Sequence, residues 1–147
     1  MTSRPARRAW RGAAVLGAAL LTCGCSSGSG DGTGDGAAAS TEQVQACKWL
    51  ISGIGYAESL LLPPGHEADQ SFDAAVRGRV AYAGGVVTLT RSKLPATVLP
   101  KAEQMAATID RLSGADDPHD QQVAALREFR VESAEVVDEC SRVTGQS

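Results

Sequence analysis

Apolar residues recur every three or four positions after residue 40, and this spacing places them on one face of an α-helix. In the first such stretch the apolar positions are Val44, Cys47, Leu50, Ile51, Ile54, Ala57 and Leu61. Ser40 and Gln43 have the S-x-x-Q spacing of a capping box, in which each side chain satisfies a free backbone N–H. The first helix is therefore predicted to begin near Thr41. It is predicted to end at the Pro-Pro-Gly of residues 63–65, because proline cannot donate the next helical hydrogen bond.

The second stretch fits two kinds of secondary structure. A helix beginning at Asp69 or Ser71 is the favoured prediction. Its apolar face would hold Phe72, Val76, Val80, Ala83, Val87 and Leu94. The alternative is a β-hairpin near residues 79–90, because two β-prone runs flank Gly84-Gly85, which is a two-residue turn signal.

Two further helices follow. In the third helix, Pro100 fits the first turn and Gly114 fits the left-handed position after the last turn. In the fourth helix, Asp117 is the expected N-cap and Pro118 the expected first-turn residue. The fourth helix would bury Leu126, Phe129, Ser133, Val136, Cys140 and Val143. The chain is therefore predicted to be all-α, with a small up-down four-helix bundle over residues 41–147, or α+β if the hairpin forms.

The N-terminal residues have the three-part plan of a secretory signal. Residues 1–12 are basic without an acidic residue, and residues 13–22 form an apolar run too short to span a bilayer. The following LTCGCSS of residues 21–27 resembles the processing site of bacterial lipoproteins. The resemblance implies cleavage after residue 24 and a diacylglycerol on the Cys25 thiol, with Cys23 as the alternative site. Export by the general or the twin-arginine route remains open.

Residues 25–40 are predicted to join this anchor to the helical domain. After the cysteine, the segment is almost entirely Gly, Ser, Thr, Asp and Ala, which cannot bury enough apolar surface to offset its ordering entropy. A flexible tether of this length reaches roughly 20 Å. The resemblance thus implies a domain held at the outer face of the cytoplasmic membrane by its lipid.

The net charge of the chain limits the classes of partner that it is expected to bind. The whole chain has a formal net charge of −3, and four of its basic residues lie within residues 1–12. The chain from residue 25 keeps 10 basic and 17 acidic residues, a net charge of −7. This argues against nucleic-acid binding. The basic residues in the middle of the chain are expected to neutralise the acidic fourth helix; they are Arg77, Arg79, Arg91, Lys93 and Lys101.

Two cysteines fall inside the predicted bundle. Cys47 and Cys140 lie on the inward faces of the first and fourth helices. In an up-down bundle these positions share one end, and export would place them in an oxidising compartment. We therefore predict a disulfide between them, the alternative being two separately buried thiols.

Metal and catalytic motifs are weakly represented. Asp31, Asp35 and Glu42 have the spacing of an EF-hand-like calcium loop, but three alanines and the lack of an entering helix argue against calcium. His66 and His119 fall in predicted turns and are expected to face solvent. No nucleophile elbow, phosphate-binding glycine loop or Cys-x-x-Cys pair occurs in the sequence. We therefore predict neither a catalytic site nor a cofactor.

Trp49 and Tyr56 lie two helical turns apart, beside the main apolar stripe of the first helix. They are predicted either to form an exposed partner surface or to seal the bundle against a neighbouring helix. The favoured function is a non-catalytic domain that binds an envelope protein or glycan. The alternative is a small-ligand carrier with a cavity of about 300 Å³ or more inside the bundle. Room for it would come from Gly53, Gly55, Gly78, Gly84 and Gly85.

Overall fold

The computed structural model describes residues 38–145, which form a bundle of four α-helices. The helices are α1 (Thr41–Glu58), α2 (Ala74–Thr90), α3 (Leu99–Ser113) and α4 (His119–Thr144), with short 3-10 segments at Glu67–Asp69 and Arg91–Lys93. α1 packs against α2 and α4, and α3 packs against the same two helices. Consecutive helices are thus neighbours, and no strand occurs within the described residues. The predicted all-α four-helix bundle is confirmed.

Residues 79–90 are helical, so the hairpin alternative is wrong. Val76, Val80, Ala83 and Val87 recur on one face of α2, and all four are buried in the core. Gly84, which would form the hairpin turn, instead lies against α3. A Cβ built on Gly84 would come within 3.0 Å of Ile109 Cγ2. This glycine therefore allows two helices to approach closely and does not reverse the chain.

The starts of α1 and α2 depend on side-chain caps. The capping box is confirmed, because Gln43 N donates to Ser40 Oγ at 3.2 Å and Ser40 N donates to Gln43 Oε1 at 2.8 Å. The predicted start of the second helix at Asp69 or Ser71 was too early. The N-cap is Asp73, whose Oδ1 accepts from the N–H groups of residues 75 and 76 at 2.9 Å each. A carboxylate at this position satisfies two donors, so α2 begins there.

Three other predicted helix ends need correction. α1 ends at Glu58, before Leu61, and Ser59 is its C-cap. A helix continuing into Pro63 would lack one hydrogen-bond donor, and the proline ring would clash with the Ser59 carbonyl. Gly114 is not left-handed: its φ is −58°, and its carbonyl accepts from Gln122 Nε2 at 3.0 Å.

The N-cap position of α4 also differs from the prediction. It is occupied by Pro118, with no side-chain cap, so the expected cap at Asp117 is wrong. In contrast, the predicted place of Pro100 in the first turn of α3 is confirmed.

The core is apolar and closely packed between the four helices. Its largest fully buried apolar side chains are Phe129, Leu50, Ile54, Met105, Ile109, Leu112, Leu126, Val80, Val98 and Val136. Cys47 and Cys140 are completely buried in this core, with their Cα atoms 5.1 Å apart and their sulfur atoms at disulfide-bonding distance. The prediction that these two cysteines meet is confirmed. None of the helices within residues 38–145 is long and apolar enough to cross a membrane.

Candidate partner-binding surface

Large apolar side chains lie exposed on the outer sides of α1 and α2. Trp49 is 56% exposed and Tyr56 48% exposed on α1, and Tyr82 is 55% exposed and Leu89 78% exposed on α2. We call these four residues the α1–α2 surface. Trp49 and Tyr56 therefore form an exposed edge and do not seal the bundle. Exposed apolar groups that lie together are typical of binding surfaces, whereas single ones are ordinary.

The two tyrosines hold each other in place. Their rings meet edge to face with centroids 5.3 Å apart. The Arg79 guanidinium carbon lies 4.5 Å from the centre of the Tyr56 ring, and Arg79 Nη1 donates to Ser59 Oγ at 2.6 Å. Such aromatic and cation–π contacts contribute about 0.5–1.5 kcal/mol each. This end of the α1–α2 surface is therefore ordered before any partner binds.

Trp49 stands between two adjoining hollows of the groove that separates α1 from α2. The larger hollow has a volume of about 300 Å³ and the smaller about 210 Å³, and Trp49, Leu89 and Thr90 line both. The larger hollow ends at Glu42 and Lys93, whose Oε1 and Nζ atoms are 3.7 Å apart. An apolar groove with an ion pair at one end can accept apolar groups and fix their orientation.

Glycines of α1 and α2 lie both in the contact between the two helices and on their outer faces. A Cβ built on Gly53 would come within 3.1 Å of Val86 Cγ2, so this glycine lets α1 and α2 approach closely. A Cβ on Gly55, Gly78 or Gly85 would meet nothing within 4 Å. Glycine inside a helix costs about 0.5–1 kcal/mol relative to alanine. The three outward glycines carry this cost without any packing contact inside the domain.

The glycines also bear on where a small-ligand carrier would find internal space. The carrier hypothesis required glycines that leave room inside the bundle, but Gly53 and Gly84 are in close contact with Val86 and Ile109. The other three glycines face outward. The hollows beside Trp49 are open to solvent, and the interior positions of the described helices are filled by the core side chains named above. The proposed source of an internal cavity was therefore wrong.

Ion pairs cover the opposite side of the bundle. Lys101 Nζ on α3 lies 3.3 Å from Glu135 Oε2 on α4, and Arg111 pairs with Glu128 in the same way. The hydrogen bond to Glu128 raises the pKa of Arg111 above its ordinary value. Gln104 Nε2 also donates to Glu132 Oε1 at 2.9 Å. Apart from the exposed Val131, the α3–α4 side is thus polar and internally paired, unlike the α1–α2 surface.

The net charge differs between the two pairs of helices, although each pair has the same number of basic residues. α1, α2 and the Arg91–Lys93 segment contain five basic and two acidic residues, whereas α3 and α4 contain five basic and eight acidic residues. The expectation that the basic middle neutralises the fourth helix is therefore largely wrong. Of its five members, only Lys101 forms an ion pair with α4 among the described residues. Arg91 pairs with Glu103 on α3 and Lys93 with Glu42 on α1.

A buried carboxylate holds the connection between α1 and α2. Glu67 is 6% exposed, and its two carboxylate oxygens accept from Gly65 N at 3.0 and 3.1 Å. Arg130 Nε on α4 lies 3.2 Å from Glu67 Oε1 and the same guanidinium donates to the Leu62 carbonyl. The backbone N–H groups of Glu67 and Gly65, followed by Arg130, lower the pKa of this carboxyl. Gly65 has a φ of 93°, which favours glycine at this turn.

The remaining predicted site residues are not brought together. His66 and His119 are both exposed, as predicted. His119 is the first residue of α4, its ring Nε2 lies 3.1 Å from the Ala68 carbonyl, and its ring meets that of Phe72 in an edge-type contact. Cys23, Cys25, Asp31 and Asp35 lie outside the described residues. Glu42 pairs with Lys93. Within residues 38–145, no group of three His, Cys, Asp or Glu residues is placed to hold a metal ion.

Tyr82 and Leu89 were not among the site residues predicted from the sequence. Their seven-residue spacing repeats that of Trp49 and Tyr56, and both lie off the buried stripe of α2. That repeated spacing could have identified Tyr82 and Leu89 from the sequence. No protein-family model, curated protein or solved structure matches the chain.

Proposed function

We propose that the protein is a lipoprotein of the bacterial cell envelope, anchored through Cys25, whose helical domain binds a partner through the α1–α2 surface. The observation that carries the binding role is the contrast between two sides of one bundle. The α1–α2 surface exposes Trp49, Tyr56, Tyr82 and Leu89 around a groove, while ion pairs cover the α3–α4 side. A domain that acted only as an inert spacer would gain nothing from exposed aromatic side chains.

The anchor is inferred from the sequence. The apolar run of residues 13–22 and the resemblance of residues 21–27 to a lipoprotein processing site support acylation of Cys25 and cleavage before it. The chain would then lie outside the cytoplasm, where Cys47 and Cys140 meet oxidising conditions. Their close approach in the core supports a covalent bond between them.

Binding fits the groove better than catalysis does. The residues that line its two hollows include hydroxyl groups and the pair Glu42–Lys93, but neither a histidine nor a cysteine among the described residues. Nucleophilic catalysis needs a nucleophile beside a general base. We therefore assign no reaction to the α1–α2 surface.

The anchor is tested by intact-mass measurement of the protein extracted from membranes. We expect the mass of the chain from Cys25 onward plus a diacylglycerol. Cys25→Ala is expected to abolish this acylated form, whereas the matched variant Cys23→Ala keeps it. An acylated Cys25→Ala protein would show that another residue carries the lipid.

The surface is tested in living cells with a photo-crosslinking amino acid at position 89 of α2. Position 131 of α4 is the control, because Val131 is also strongly exposed, at 62%, but lies away from the α1–α2 surface. We expect crosslinks to an envelope component from position 89 and none from position 131. Equal products from both positions, or none from either, would contradict the proposed binding role.

A further inference from the structure

We infer that the α1–α2 surface docks on an anionic phospholipid bilayer, the membrane to which the chain is anchored. This inference rests on the proposed function, since it names the occupant of the same surface. The supporting observations are the position of the groove relative to the tether, the kinds of side chain exposed, and the distribution of charge.

The groove lies at the end of the domain where α1 begins, directly after the predicted tether. Thr41, the first residue of α1, lines the larger hollow together with Lys93. Trp49 follows Thr41 by eight residues, or about 12 Å of helix. The predicted tether reaches roughly 20 Å from the lipid-bearing cysteine. A membrane is therefore within reach of Trp49 and Leu89 in every anchored molecule, without an encounter by diffusion.

The exposed side chains suit the boundary between lipid and water. Tryptophan and tyrosine concentrate at membrane interfaces, because their rings are apolar and their N–H or O–H groups remain hydrated. Trp49, Tyr56 and Tyr82 supply such rings, and Leu89 adds an aliphatic group that is 78% exposed. The open space beside Gly78 and Gly85 lets headgroups approach the backbone of α2.

The charges around these side chains are mainly positive. Lys48 is exposed on α1, Arg79 lies over Tyr56, and Lys93 borders the groove with Glu42. The second acidic residue of α1, Glu58, turns to α4, where its Oε1 accepts from Ser133 Oγ at 3.0 Å. The acidic residues of the connection and the α2 N-cap, Glu67, Asp69 and Asp73, lie at the opposite end of the helix pair from Lys93. Anionic lipid attracts basic residues near its surface by about 1 kcal/mol each. The anionic lipid would repel the acidic α3–α4 side. Attraction of the α1–α2 side and repulsion of the α3–α4 side therefore favour the same orientation of the domain on the membrane.

The same charges argue against a second copy as the occupant. A symmetric dimer through the α1–α2 surface would place Arg79 and Lys93 of both copies in one interface. Like charges that face each other across an interface oppose association. An anionic bilayer has no such conflict, and it gains from both the basic and the aromatic groups.

The inference is tested with the chain from residue 25 carrying Cys25→Ser, which has no acyl group but retains the entire described core. Trp49 is its only tryptophan, because Trp10 precedes the cleavage site. The protein is titrated with phosphatidylcholine vesicles and with vesicles that hold equal parts of phosphatidylcholine and phosphatidylglycerol. We expect a blue shift of Trp49 emission, and quenching by lipids brominated on their acyl chains, only with phosphatidylglycerol. Added salt should weaken both signals.

Single substitutions test which residues of the domain contact the membrane. Leu89→Ser is expected to lower vesicle affinity at least about ten-fold, because the leucine no longer leaves water. Lys48→Gln and Lys93→Gln are each expected to lower it about five-fold. The matched controls Val131→Ser and Lys101→Gln lie on α4 and α3 and should leave the affinity unchanged. Circular dichroism confirms that each variant remains folded.

The two proposals fail in different ways. Absence of an emission shift with phosphatidylglycerol, or equal losses in the control variants, would overturn membrane docking while leaving the acyl anchor in place. Crosslinks from position 89 to a protein instead of lipid would also overturn it, yet they would support a partner-binding role. Loss of the predicted acylation would contradict the anchor without altering the vesicle titration, which uses unacylated protein.

Discussion

The Cα atoms of Cys47 and Cys140 lie 5.1 Å apart, although 93 positions separate these residues along the chain. One belongs to the second turn of α1 and the other to the second-last turn of α4. A covalent bond here closes a loop of most of the helical domain. The unfolded chain then loses entropy that the folded chain has already lost, so the folded state is stabilised.

Cys47→Ala is therefore expected to lower the free energy of unfolding by about 2–5 kcal/mol. Denaturant titration with and without a thiol reductant measures the effect. The reductant should destabilise the unaltered protein by a similar amount and leave Cys47→Ala nearly unchanged. Equal sensitivity of both proteins to the reductant would show that the two cysteines are not bonded.

The glycines of α1 and α2 are expected to respond to alanine with opposite signs. Gly53→Ala and Gly84→Ala should destabilise the fold by about 1–3 kcal/mol, because a Cβ would press on Val86 or Ile109. Gly55→Ala and Gly85→Ala should stabilise it by about 0.5–1 kcal/mol, because the added methyl meets open space and alanine favours the helix. Thermal unfolding of the four variants measures the difference. A uniform sign would contradict this packing of α1, α2 and α3.

Substitutions at two leucines compare the stability contributed by a buried side chain with that contributed by an exposed one. Leu50→Ala should destabilise the protein by about 2–5 kcal/mol, because Leu50 is completely buried. Leu89→Ala should change stability by no more than about 0.5 kcal/mol, because Leu89 is mostly exposed. Chemical denaturation of both variants checks the comparison. A large loss in Leu89→Ala would assign this side chain to the fold and weaken its proposed role in binding.

The stability contributed by Glu67 is expected to depend on pH. Its pKa is lowered from 4.5 in the folded protein, chiefly by its own N–H and that of Gly65. The ionised carboxylate therefore stabilises the fold fully above the ordinary pKa, and the contribution is lost as the pH falls through the lowered pKa. Glu67→Gln should be less stable than the unaltered protein at neutral pH, and the gap should narrow below pH 4.5.

Unfolding curves across this pH range test the Glu67 prediction. Asp69→Asn removes an exposed carboxylate from the same 3-10 segment and serves as the matched control. It should leave the pH dependence nearly unaltered. A gap between Glu67→Gln and the unaltered protein that stays constant with pH would rule out the charge of Glu67 as the cause.

Local chemistry explains why much of the fold was predictable from the sequence. The capping box at Ser40 and the apolar spacing within each helix depend on neighbours a few residues away. The hairpin alternative arose because Gly84-Gly85 is also a turn signal. Only the contact of Gly84 with Ile109, 25 positions along the chain, reveals that its role is helix packing.

Only the α1 part of the candidate site was predictable, because the rest depends on contacts between helices. Trp49 and Tyr56 were recognised from their position beside the apolar stripe. Whether they would be covered depended on the neighbour of α1 and on the angle of packing, which the spacing does not encode. The contact of Tyr56 with Tyr82 and the shared groove of Trp49 and Leu89 arise only when α1 and α2 lie side by side.

The ion pair between Glu67 and Arg130 is a second link across the bundle, and its chemistry differs from that of the cysteine pair. Cys47 and Cys140 join α1 to α4 near the start of α1, and a bond between them responds to reductants. Glu67 and Arg130 join the α1–α2 connection to α4, and this pair responds to acid. Reduction would therefore loosen the end of the bundle where α1 begins and α4 ends, and acidification would loosen the α1–α2 connection at the other end. A change in only one of these conditions would leave the other link intact.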